Sequence, residues 1–374
     1  MRKFTAGATI LPVALLVAAC GGSPTTSASD QGESGGKATA QAQAVYDRVN
    51  GLSGDERTAE LVKLAEQEGE LAIYTSNTDL DDMVEGFGDE YDIDVSVYRG
   101  NSESVLQRVL QEQQADFRGV DLVETNALEL NVLNEEGYLY PYEGELRDQV
   151  REEGQADGWT ADRFNVFVIG WNTDKVKPGD EPTSLQELAE PQWKGRISME
   201  IGDVDWFVAL YQYYQEQGKS EDEVLDIFRG LARNAKIVKG HTVQGELLSA
   251  GQFDVGVSLY SHTVDKAADI GAPVAWRSDS VQPVQPLVIR PNGAGLMHNA
   301  TNPAAAMLFM DYALTSGQDI LGESFRISAI PSGRDPLDGL EAIAVPEQDL
   351  LENPQKWDEL YVDVVEGGQE VAAE

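Results

Sequence analysis

Lys63-Leu-Ala-Glu-Gln-Glu-Gly-Glu-Leu-Ala-Ile-Tyr-Thr-Ser76 holds a helix end, a stop signal and a strand in fourteen residues. The helix runs over 55–68 with Leu61 and Leu64 on one face, and Gly69 ends it because glycine alone adopts the left-handed C-cap conformation without strain. The extended run Leu71-Ala-Ile-Tyr-Thr-Ser76 follows at once. Ile93-Asp-Val-Ser-Val-Tyr98 and Val120-Asp-Leu-Val-Glu124 repeat the pattern, each leading through a polar turn into an amphipathic helix. Strands alternating with helices in this way predict a parallel or mostly parallel sheet covered on both faces, which makes a first α/β lobe.

Further along, Arg196-Ile-Ser-Met-Glu200, Lys236-Ile-Val-Lys239, Asp254-Val-Gly-Val-Ser-Leu259 and Pro273-Val-Ala-Trp276 alternate with helices at 206–217 and 221–234. These predict a second α/β lobe. The almost wholly apolar Phe164-Asn-Val-Phe-Val-Ile-Gly-Trp171 and the run Gln285-Pro-Leu-Val-Ile-Arg290 read as paired strands on which the chain crosses between lobes and returns, with a helix at 307–314 packing on the first lobe. The expected division is 39–165 for the first part of lobe one, 166–288 for lobe two, 289–330 for the return and 331–374 for a C-terminal helical segment.

The N-terminus carries Met1-Arg2-Lys3, an apolar stretch from Ile10 to Ala19 and Val17-Ala-Ala-Cys20, the only cysteine of the chain. The stretch is too short to span a bilayer and reads as a secretory signal over 1–19. Cys20 after Val-Ala-Ala looks like a bacterial lipobox, whose thiol becomes the acylated N-terminus of an exported protein. Residues 21–36 hold no large apolar side chain, so 20–38 is expected to be a flexible leash to the outer face of the membrane. Removing Arg2 and Lys3 with the signal leaves 25 basic residues against 65 acidic ones, spread along the whole sequence. That surface repels nucleic-acid phosphates and anionic lipids, which excludes nucleic-acid binding and leaves the anchor as the membrane contact.

The residues resemble the type II periplasmic solute-binding proteins of the ferric-iron-binding group. In that group a helix ends at Glu-Gly and the first strand at Tyr-Thr-Ser, as at 68–76 here. Leu188-Ala-Glu-Pro-Gln-Trp-Lys-Gly-Arg-Ile197, Gly251-Gln-Phe-Asp-Val-Gly-Val-Ser258, Gly293-Ala-Gly295 followed by Asn302-Pro-Ala-Ala-Ala, and Ile330-Pro-Ser332 fit the same pattern in the same order. The resemblance implies an α/β fold of two Rossmann-like lobes joined by a two-strand hinge. It also implies a monomeric receptor without a cofactor, closing on a small solute or metal and delivering it to an ABC permease.

In such sheets a ligand lies beyond the carboxyl ends of the strands, where helix N-termini present free N–H groups. Those ends are Ser76-Asn77-Thr78, Asn101-Ser102-Glu103-Ser104, Thr125-Asn126, Gly202-Asp203, His241-Thr242 and Tyr260-Ser261-His262. Each has a plainer role available: Ser76, Ser102 and Thr242 suit helix caps, Trp206 the packing of lobe two, Tyr260 a strand-end core position, and the histidines ordinary hydrogen bonding. The iron group places two adjacent tyrosines after the strand matching 254–259 and often a histidine in the first strand's loop. Here the pair falls on Ser261 and His262, with Tyr260 one position early, and the loop histidine falls on Thr78. A ferric shell would have only Tyr260, His262 and Glu103, whereas hydroxyls, amides and helix ends suit a phosphate, phosphonate or carboxylate. A polyamine held by Glu103, Asp203 and aromatic rings is the further alternative. The sequence has no nucleophile elbow, phosphate loop, His-Glu-x-x-His or cysteine pair to favour a secreted enzyme.

Overall fold

The computed structural model describes residues 28–278, 280–331 and 336–372, so the signal, Cys20, the start of the leash and Ser332 lie outside the described residues. Among the described residues no helix is long and apolar enough to cross a membrane.

Two helices open the first lobe, α1 (Ala28–Asn50) and α2 (Gly54–Glu68). Gly69 ends α2 at φ 71° and donates its N–H to the Ala65 carbonyl, the cap that the sequence implied. Then come β1 (Glu70–Thr75), α3 (Asp81–Tyr91), β2 (Asp94–Arg99), α4 (Ser102–Gln114), β3 (Leu122–Asn126), α5 (Ala127–Glu135) and β4 (Leu139–Tyr140). β1 pairs in parallel with β2 and β3. The long β5 (Thr160–Asn172), buried at every position, leads into lobe two. There α6 (Leu185–Leu188), β6 (Ile197–Glu200), α7 (Val204–Glu216), α8 (Glu221–Asn234), β7 (Ala235–Val238), α9 (His241–Ser249), β8 (Val255–Tyr260), α10 (Ser261–Asp269) and β9 (Val274–Ala275) follow, with β6 parallel to β7 and β8. β10 (Leu287–Met297) returns to α11 (Pro303–Ala313), α12 (Ser316–Glu323) and β11 (Ile327–Ser328). The chain closes with β12 (Ala342–Ala344), α13 (Glu347–Glu352) and α14 (Pro354–Ala372).

The strands join in the order β2-β1-β3-β10-β5-β8-β6-β7. β5 and β10 run antiparallel to each other at the centre, from Phe167 opposite Val288 to Thr160 opposite Ala294. They are the expected crossing pair. Their register breaks between Asn292 and Gly293, where a Cβ on Gly293 would meet the Thr160 carbonyl oxygen at 2.2 Å. Only glycine permits that approach. Each lobe has its own core, one around Ile73, Phe87, Leu122 and Phe309, the other around Phe207, Phe228, Val257 and Leu231.

The structure departs from the expectations at both ends of the chain. α1 begins at Ala28, so a helix enters the stretch expected to be leash, and further on it buries Ala42, Tyr46 and Val49, with the Tyr46 hydroxyl donating to the Met297 carbonyl at 3.0 Å. The C-terminal segment adds β12 beside β10 and returns to lobe two, where α14 lies against α8. Trp357, Tyr361, Val364 and Val365 recur on one helical face and are buried there.

Candidate functional site

On lobe one, the end of β1 is pinned to β3. Thr75 Oγ1 hydrogen-bonds the buried Glu124 carboxylate and accepts the Asn77 N–H at 2.8 Å, while Ser76 Oγ pairs with Thr125 Oγ1 at 2.9 Å. Asn77 is buried, and its Nδ2 has no partner among the described residues. Asn126 Oδ1 accepts from Asn292 Nδ2 at 2.6 Å, which ties the β3 end to the returning strand. At α4 the cap is Asn101, whose Oδ1 accepts the Ser104 N–H at 2.8 Å; Ser102 is the first helical residue rather than the cap. Asn101, Glu103, Ser104 and Thr78 are exposed.

On lobe two, the helix ends expected to receive a solute already hold a carboxylate. Glu200, the last residue of β6, accepts the N–H groups of Gly202 and, at 2.8 Å, of Gly240. Gly240, at φ 94°, occupies the position before α9, so Thr242 is not its cap and stands exposed. Asp203 is 2% exposed and meets His241 Nε2 at 3.1 Å through Oδ1, leaving Asp203 Oδ2 and His241 Nδ1 without partners among the described residues. The Tyr260 ring lies 3.9 Å from His241 and 5.5 Å from His262, centroid to centroid, and Ser261 and His262 are buried at the start of α10. Trp206 packs in the lobe-two core.

Sequence reading passed over the cations of this cleft. Arg163 on β5 is 1% exposed; its Nη1 donates to Glu124 and, at 2.9 Å, to Asp162, and its buried Nε has no partner among the described residues. Arg290 on β10 donates to Asp205 at 2.6 Å and to the Tyr260 hydroxyl, again with an unpartnered Nε. Arg326, just before β11, donates to Asn165, Asn77, Thr78 and Asp79. Lys266 on α10 reaches across from lobe two to Asp79 at 2.8 Å. The signal was there to read, since Arg163 directly precedes an otherwise apolar run and Arg290 closes another. A charge at such a place needs partners or a ligand.

Burial, then the Asp203 and Asp205 charges, push the Tyr260 phenol upward, opposed by Arg290, so it stays protonated at neutral pH. Burial disfavours the charged form of His241, but Asp203 and Glu200 outweigh it and raise its pKa. His262 moves the other way, lowered by burial and by Arg326, Lys266 and Arg163. Asp162 is pushed up to about 7 by burial.

The strand ends of both lobes converge on these buried charged groups, the place where open α/β sheets take their ligands. Residues 129–360 match the model of the bacterial extracellular solute-binding proteins. The chain belongs to that family. It is therefore a solute-binding protein rather than an enzyme. Among its relatives is iron uptake protein A1 of Synechocystis, 24% identical over 263 residues that make up 67% of this chain and 72% of the relative. Two solved structures share the fold. AfuA from Actinobacillus pleuropneumoniae, with fructose-6-phosphate bound, has a TM-score of 0.67 at 20% identity and covers 80% of this chain and 99% of its own. Iron-bound HitA from Pseudomonas aeruginosa has a TM-score of 0.65 at 19% identity and covers 79% and 99%. These neighbours are type II periplasmic binding proteins, the fold class expected from the sequence.

Proposed function

We propose that this family member is an exported, lipid-anchored receptor that takes a small oxyanion-bearing solute between its lobes and delivers it to an ABC permease. The carrying observation is the pair of buried guanidinium Nε groups on Arg163 and Arg290, unpartnered among the described residues. They sit on the two crossing strands, with Arg326 beside them. An arginine N–H is a donor only, and a charge-assisted bond to an oxyanion contributes about 1.5–3 kcal/mol. The helix ends favoured from sequence are a weaker basis, because Glu200 occupies the Gly202 and Gly240 amides. AfuA, with its sugar phosphate, shows one neighbour of this fold holding such a group.

The ferric alternative is drawn from relatives such as iron-bound HitA. It requires Tyr260 as a phenolate beside His262 and Glu103. Here the Tyr260 hydroxyl already accepts from Arg290, and Glu103 is exposed on α4. Two measurements separate the readings. Native mass spectrometry of protein purified without added solute should retain a phosphate, phosphonate or carboxylate compound, and titration with ferric citrate should give no visible charge-transfer band. A strong band abolished by Tyr260→Phe would overturn the oxyanion reading.

A further inference from the structure

The cleft has two poles. On one side burial, helped by the charges of Arg326, Lys266 and Arg163, keeps the His262 imidazole neutral. Glu124 and Asp162 take Arg163 Nη1, and Asp79 takes Arg326 and Lys266, which leaves Arg163 Nε and Asn77 Nδ2 as buried donors without acceptors among the described residues. On the other side Glu200, Asp203 and Asp205 gather around His241 and Arg290, and there the imidazole is driven towards its charged form. Asp203 Oδ2 is left as a buried acceptor without a donor among the described residues. The phenol ring of Tyr260 contacts both imidazoles and so lies where the two poles meet.

Resting on the oxyanion reading above, we propose that the solute is dipolar, carrying an ammonium group a short spacer away from its oxyanion. The oxyanion takes Arg163 Nε, Arg290 Nε and Asn77 Nδ2, and the ammonium takes Asp203 Oδ2. A simple anion leaves Asp203 Oδ2 desolvated and unpaired, whereas a simple amine does the same to the Arg163 donor. A metal ion is a poor fit at the acidic pole although Glu200, Asp203 and His241 lie close together. Both Glu200 oxygens are taken by backbone amides, and two free ligand atoms do not make a coordination shell. An ammonium is a donor only, and Asp203 Oδ2 is an acceptor left open to it among the described residues.

The test is calorimetry on the full chain with matched probes: phosphoethanolamine against ethyl phosphate, and β-alanine against propionate. At least one amine-bearing probe should bind ten-fold or more tighter than its partner, and Asp203→Asn should reduce that preference to about two-fold. Equal affinity within both pairs overturns the dipolar proposal and leaves the oxyanion reading standing. No binding by any of the four overturns both. The comparison on unmodified protein decides the matter even if Asp203→Asn fails to fold.

Discussion

Replacing Lys266 by alanine removes a contact that the protein makes between its own lobes. The Lys266 ammonium sits 2.8 Å from Asp79, with the two side chains 35% and 21% exposed, so solvent screens the pair only in part. Exposed pairs contribute about 0.2–1 kcal/mol, and the partial burial of this one places it near the upper end, at about 1 kcal/mol. Since 1.4 kcal/mol is a factor of ten, its loss shifts the ratio of lobes-together to lobes-apart about fivefold. Lysine is the better partner to remove, because Asp79 keeps Arg326 at 2.6 Å and no buried charge is stranded. Small-angle scattering of solute-free protein should show a larger radius of gyration for Lys266→Ala than for wild type, and molar salt should bring wild type towards the variant. Superimposable curves for both proteins at low salt would refute the argument.

Three further outcomes follow from particular residues. If the proposed lipid anchor holds, Cys20→Ser should release the protein from washed membranes, because stable anchoring needs the acyl chains the cysteine would carry; a variant that stays bound disproves the anchor. Gly293→Ala should lower the denaturant midpoint by about 1–3 kcal/mol of stability, because its Cβ meets the backbone of Thr160 and Ala161 rather than a side chain that can turn aside; an unchanged midpoint contradicts this. Burial pushes the Glu68 carboxyl up to about 7, so the folded chain keeps a proton there that the unfolded chain loses near pH 4.3. Stability from this group is therefore lost as pH rises from about 4 to 7, and Glu68→Gln should flatten the fall in melting temperature across that window. An identical pH profile would count against it.

Much of the scaffold was legible because its signals are local. The helix over 221–234 matches the structure to the residue, since Ser220 and Glu223 form a reciprocal capping box at its start. The strands shift by a residue or two, where pairing rather than composition sets the end: Tyr260 belongs to β8 because it lies opposite Phe167 on the crossing strand. The site was legible only in outline. Strand-end loops located Ser76, Asn77, Asp203, His241 and Tyr260, whereas reading β5 and β10 as apolar connectors hid Arg163 and Arg290. The part played by Glu200 had no local signal at all, since it depends on Gly202 and Gly240 converging from two loops. The docking of α14 could have been read from the spacing of Trp357, Tyr361, Val364 and Val365.

The carboxylate that Glu200 lays across those two amides also bears on what the receptor ignores. Converging loop amides at helix starts attract free phosphate and sulfate, which abound outside cells and would jam a carrier meant for something scarcer. On the proposed oxyanion reading, the Glu200 side chain keeps such free anions off these two amides. Choice among solutes would then fall to the proposed contacts of Arg163 and Arg290 on the two crossing strands.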